Sequence, residues 1–251
     1  MEKFLIIKNI FKIHPFYYFF ALISAFTGNF KNFLLFSIII VVHEFGHFLM
    51  ALLLKWKVEK VLILPFGGVT IFNEDLNRPM FEEFLILICG PLLQLVFVFI
   101  FSDNNKLVSY SNIILLFNLL PIFPLDGSKF LNLFLNLFLS FKKSHLYTIY
   151  FSFIVILLVF FKYDFSLMLL LILLFIFFKV VDEYENHNLI FNRFLLERYY
   201  KNFNFKKSRI IKSDNFNKMK RDYKHIFLDK GVYVTEKEML KKRFDFKGKT
   251  W

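Results

Sequence analysis

The stretch VVHEFGHFLM, residues 41–50, sets His43, Glu44 and His47 within five positions of an otherwise apolar run. In a helix, residues i and i+4 share a face, so both imidazoles can reach one ion. Zinc takes imidazole nitrogen at about 2.0–2.1 Å, and a catalytic site leaves a position open for water. Glu44, one step round the helix, is placed to take a proton from that water. A pattern of three fixed positions in five is weak by itself, and polar groups satisfied inside a helix bundle would also produce it. The surroundings strengthen the metal reading. One charge at the centre of a bilayer costs about 2.5–3.5 kcal/mol on insertion scales. Three ionisable groups so close together need a compensating partner, and a divalent cation is one.

Two histidines leave a zinc ion one protein ligand short. The best further candidate is in NLLPIFPLDG, residues 118–127, where Asp126 follows Pro121 and Pro124 in a mostly apolar stretch. The prolines break a helix there and can turn the acid back toward the histidines, while Gly127 permits a tight local backbone. An ordinary turn at the membrane edge is the alternative for the same residues. Glu74, Asp75, Glu82 and Glu83 are competing acids, in or beside a polar loop where they are expected to stay solvated. Asn118 could bond a water, an oxyanion or a substrate backbone, or bridge two helices. His14, His145, His187 and His225 are expected to be interfacial or solvated.

The elements that must position these groups follow from composition. The chain has 251 residues, 57% of them hydrophobic, with 40 Phe, which marks a membrane protein. Six spans are expected, near 15–28, 33–54, 81–101, 107–121, 144–161 and 165–181. A signal peptide is the alternative for the first, but no small-residue cleavage site follows it. Lys3, Lys8 and Lys12, then Lys55, Lys57, Lys60 and Arg78, then Lys129, Lys142 and Lys143 lie on one side of the spans, and Lys31, Lys106 and Lys162 on the other. That asymmetry puts both termini in the cytoplasm. LPFGGV, residues 64–69, is apolar yet carries a proline and two glycines. Such backbone is either a surface turn or buried beside a cavity at membrane depth. Residues 129–141 predict an interfacial or core-packed helix carrying Asn132 and Asn136.

Much of the net charge of +12 lies beyond Lys179, in a polar tail that suits anionic lipid or an acidic partner; nucleic acid is not expected for a membrane-tethered chain. The tail predicts a helix with an apolar stripe at Leu189, Phe194 and Leu195, a strand–turn–strand over KHIFLDKGVYVT and a short helix over EKEMLKKRF. The whole chain has one cysteine, Cys89, which makes an internal disulfide or a multi-thiolate metal site impossible. A metal transporter using the same donors, or an inactive scaffold that sequesters a partner, are the rival functions.

HEFGH in one span with NLLPIFPLDG in a later one resembles the paired signature of the site-2 proteases, zinc enzymes that cut membrane-associated proteins. LPFGG at 64–68, NRPMFEEF at 77–84, GPL at 90–92 and FLLERYY at 194–200 resemble a branch of that family that acts in sporulation. The resemblance implies an all-α polytopic membrane protein with a membrane-reentrant loop and a small cytosolic α+β tail, a shortened version of a cystathionine-β-synthase-like (CBS) domain. It implies a membrane protease domain over 1–181, a helical linker over 182–202 and the tail over 203–251. His43, His47 and Asp126 would hold Zn2+, Glu44 would be the catalytic acid/base, and Asn118, Pro124 and Phe66 would contact substrate. The implied substrate is an inactive sigma factor precursor, pro-sigma-K. The implied inhibitory membrane partners resemble SpoIVFA and BofA, and the implied location is the membrane around the forespore.

Overall fold

A computed structural model describes residues 11–65, 67–162, 166–229 and 231–245. The chain divides into two compact units, the first comprising 1–74 and 81–130, the second 75–80 and 131–251.

The first unit begins with β1 (Phe11–Ile13) and α1 (Pro15–Phe26). Pro15 occupies the first helical turn, where its missing N–H is no loss, and His14 caps the helix by accepting from the Phe16 N–H. α2 (Phe30–Leu53) carries the HEFGH segment. β2 (Val58–Leu64) and β3 (Gly67–Phe72) follow, then α3 (Met80–Ile100) and α4 (Asn105–Asn118), whose cap is the Asn104 side chain accepting from Leu107. α5 starts at Asp126 and runs to Phe138. Ile39, Ile40, Ile63, Leu107 and Ile114 form the interior around α2.

The expectation of an all-α membrane part is corrected in one respect. Residues 58–72, read as loop, form a hairpin, and β1 joins it in parallel to give a three-stranded sheet of order β1-β2-β3. The run VEKVLIL is rich in β-branched and aliphatic residues, and the ladder runs from Val58 paired with Phe72 to Leu64 paired with Gly67.

The second unit contains α6 (Phe141–Lys162), α7 (Leu167–Tyr200), β4 (Lys207–Ile211), β5 (Tyr223–Asp229), β6 (Val232–Thr235) and α8 (Glu236–Asp245). β4 pairs in parallel with β5, and β5 with β6 in an antiparallel hairpin. Phe141, Phe191, Phe194, Leu195, Phe227 and Leu240 close its core. The α7 stripe is therefore Phe191, Phe194, Leu195 and Arg198; Leu189, assigned to it from the sequence, is two-thirds exposed. His225, expected to be solvated, is fully buried.

Among the described residues, α2, α3 and α6 are each long and apolar enough to cross a membrane. α1 is a shorter apolar helix. Their outward faces carry Leu34, Ile38, Leu92, Val96, Ile154 and Leu158 exposed, as a lipid-facing surface requires.

Candidate metal centre

α2 delivers His43 and His47 from successive turns of one face, and both rings are buried. The first turn of α5 delivers Asp126, also buried. Asp126 Oδ2 lies 3.0 Å from His43 Nε2 and 3.0 Å from His47 Nε2, and the two Nε2 atoms are 3.1 Å apart.

The opposite ring nitrogens show what these atoms are. His47 Nδ1 lies 2.8 Å from the Ile86 carbonyl, which can only accept, so Nδ1 carries the proton. His43 Nδ1 lies 2.7 Å from Gln94 Oε1. In the tautomer that carries its one proton on Nδ1, each ring turns the lone pair of its Nε2 inward. Two such nitrogens and a carboxylate oxygen then converge, a set that a cation can accept on all three atoms. Bonds of about 2.0–2.1 Å in a tetrahedral site put ligand atoms roughly 3.3–3.4 Å apart, close to the triangle seen here. A ligating histidine that gives its other N–H to a carbonyl is the usual outer arrangement of a metal site. The residues present fit zinc.

Close helix approach makes the geometry possible. A Cβ on Gly90 of α3 would land on the His47 imidazole, and one on Gly46 of α2 would sit 2.5 Å from the Cys89 carbonyl oxygen. Pro91, inside α3, has no N–H for the Leu87 carbonyl, the neighbour of the Ile86 carbonyl that meets His47.

Glu44 is buried beside the histidines, and potential donor atoms of His43, Glu44 and His47 lie within 4.8 Å of one another. Thr70 of β3 donates its hydroxyl to Glu44 Oε2 at 3.0 Å. Lys129, one turn along α5, donates to the other Asp126 oxygen, Oδ1, at 3.1 Å. Asn118 is buried, its Oδ1 2.8 Å from where a Gly67 Cβ would be. Pro124 is buried just before Asp126, after a cis peptide bond. Phe66 lies outside the described residues.

Three of the four competing acids have partners elsewhere. Glu82 accepts from the Trp56 indole at 2.8 Å, Glu74 from the Lys57 N–H at 2.7 Å, and Asp75 pairs with Lys201. Of the other histidines, His145 lies 3.3 Å from Glu183, and His187 stacks on Tyr184 at the surface. Gln94, Thr70 and Lys129 were missed as members of the site. Gln94 had a visible signal, an amide inside an apolar span.

Two imidazoles, a carboxylate and a buried neighbouring glutamate among membrane helices define a metal-dependent hydrolase. The pattern of peptidase family M50 matches residues 31–102. The chain is 34% identical over 203 residues to stage IV sporulation protein FB of Bacillus subtilis, covering 75% of this chain and 70% of that protein. It is 35% identical over 126 residues to a zinc metalloprotease of Methanocaldococcus jannaschii, covering 45% of this chain and 36% of that one. Its fold matches a solved site-2 protease from Methanocaldococcus jannaschii with a TM-score of 0.53 and 27% identity, over 69% of this chain and 89% of that one. The chain belongs to the M50, or site-2 protease, family of membrane zinc metalloproteases.

Proposed function

We propose that this protease hydrolyses a peptide bond in a sporulation sigma factor precursor of the pro-sigma-K type, at a zinc ion held by His43, His47 and Asp126. The observation that carries the site assignment is the convergence of two imidazole Nε2 atoms and one carboxylate oxygen at 3.0–3.1 Å. The substrate assignment is supported by the 34% identity to stage IV sporulation protein FB.

Zinc, when bound, supplies Lewis acidity toward the scissile carbonyl and the attacking water. Glu44 takes the water's proton and returns it to the leaving amine nitrogen. The Thr70 hydroxyl holds one oxygen of Glu44 and leaves the other for the proton. Lys129, on Asp126 Oδ1, leaves Oδ2 for the metal. The scissile segment must be extended, because a helix ties up its carbonyls in internal bonds. In the order β1-β2-β3, β3 is an edge, and an extended chain adds to such an edge by main-chain hydrogen bonds. β3 carries the Thr70 that reaches Glu44 and the Gly67 that lies against Asn118. Substrate is held there, with Asn118, Pro124 and Phe66 as contacts.

The same reading takes six spans, α1, α2, α3, α4, α6 and the start of α7, with both termini cytoplasmic and the enzyme in the membrane around the forespore. Its domains are the membrane protease over 1–181, a helical linker over 182–202 and a shortened CBS-like tail over 203–251. Support for the tail is its compact α+β unit of β4, β5, β6 and α8. Inhibitory membrane proteins resembling SpoIVFA and BofA complete the picture. Co-expression with a pro-sigma-K-like substrate tests it: wild type is expected to release the mature form, and Glu44→Gln, at equal protein level, to leave the precursor uncut. Equal processing by both rejects Glu44 as the base.

A further inference from the structure

Gln94 has no exposed surface and is the one amide in a 21-residue apolar helix. Its Nε2 is 2.9 Å from the Ser111 carbonyl oxygen and 2.7 Å from the Ser111 hydroxyl, on α4. Its Oε1 is 2.7 Å from His43 Nδ1, on α2. The Ser111 carbonyl can only accept, so the NH2 must face it. The amide oxygen therefore faces His43 and requires a proton on Nδ1. Turning the amide over would set two acceptors, the amide oxygen and the Ser111 carbonyl, against each other.

We infer that Gln94, locked by Ser111, is the positioning residue that fixes the tautomer and ring orientation of His43 for the metal. The inference rests on the proposed ligand role of His43. The two histidines differ in a way that makes it testable. His47 gives its Nδ1–H to a main-chain carbonyl, which no substitution at position 86 removes. His43 depends on a side chain.

Without the amide oxygen, His43 has a competing state close at hand. Its proton moves to Nε2, which then donates to Asp126 Oδ2, 3.0 Å away. One bond thereby occupies two ligand atoms, and a metal must displace the proton to bind. An amide also suits the position better than a carboxylate. Glutamate would still accept from Nδ1–H, but its second oxygen would face the Ser111 carbonyl.

The test uses purified full-length chain in lipid nanodiscs, with Zn2+ titrated against a chromophoric chelator and Co2+ added separately to record the ligand-field spectrum. Gln94→Met, of similar volume without an acceptor, is expected to bind Zn2+ about 10–100-fold more weakly and to shift the cobalt bands. Gln94→Glu, which restores the acceptor, is expected to recover part of that loss. Ser111→Ala keeps the carbonyl and is expected to weaken binding less than Gln94→Met. Wild-type affinity and spectrum in Gln94→Met overturn the inference. So does Gln94→Glu binding no better than Gln94→Met, because the loss then reflects packing alone. Should Gln94→Met fail to fold, a Gln94→Glu variant matching the affinity of His43→Ala overturns it. A wild-type chain that binds no metal sinks the ligand assignment itself, a result distinct from all of these.

Discussion

Arg198 holds the second unit together, and its replacement by methionine should open the tail. Arg198 is 3% exposed. It donates to Asn77 Oδ1, to the Tyr223 carbonyl at 2.9 Å, to Glu236 Oε1 at 3.0 Å and to the Lys220 carbonyl at 3.0 Å. The Phe194 and Phe205 rings lie 4.6 and 4.5 Å from its carbon. Methionine fills much of the volume but leaves two carbonyls and a buried carboxylate short of donors. Removing one partner of a buried ion pair costs about 3–5 kcal/mol. At about 1.4 kcal/mol per decade, the opening equilibrium of the tail rises two to four orders of magnitude. Hydrogen exchange on the full chain in nanodiscs reads this directly, because amides of β4, β5 and β6 exchange through that opening. Their protection should fall by about that factor, while peptides from α2 keep theirs. Arg198→Lys should recover little, since an ammonium cannot reproduce the planar fork. Protection in β4–β6 unchanged to within tenfold would refute the idea that this network holds the sheet in place.

The same amides should respond to pH. Burial pushes His225 below its ordinary 6.5. The unfolded tail then takes up a proton near that pH which the folded tail refuses, so folding is stabilised above it and weakened as pH falls below. Burial would raise Glu236, but its bond from His225 and the charge of Arg198 outweigh this and hold it below 4.5, so a second loss follows at lower pH. Protection in β5, corrected for intrinsic exchange, is expected to drop between about pH 7.5 and 5.5; a flat profile contradicts the burial argument. Gly90→Ala puts a methyl group on the His47 ring and should weaken Zn2+ binding at least about tenfold in chelator competition, whereas an unchanged affinity would mean that α3 yields freely. Lys129→Met frees Asp126 Oδ1 and should weaken Zn2+ about 10–100-fold; no change would show that the ammonium does not hold that carboxylate.

How much of the centre could be read from the sequence depends on where each residue's reason lies. His43, Glu44 and His47 are visible because their reason is local: a helix repeat inside a membrane run. Asp126 is visible because two prolines mark a break beside an acid. Gly90 is not, since what demands a missing side chain is an imidazole more than forty positions earlier. Thr70 was lost with the hairpin, because the proline and glycines of residues 64–69 drew the reading toward loop and hid the strands on either side. Gln94 carries the same signal as HEFGH, since a polar group at membrane depth needs a partner whether it is an amide or an acid.

The tail shows the same distinction between polarity and periodicity. Its high charge led to a solvated His225, yet in Tyr223–Asp229 the strand repeat puts His225 and Phe227 on one face, and both are fully buried. On α7 the spacing Phe191, Phe194, Leu195, Arg198 follows i, i+3, i+4, i+7, so the arginine completes a buried stripe. A charge at such a position calls for an acid from elsewhere, and Glu236, the first residue of α8, supplies it. Charge count alone places both residues in water. The repeat of the element that carries them places both inside, and then obliges each to have the partner that the structure provides.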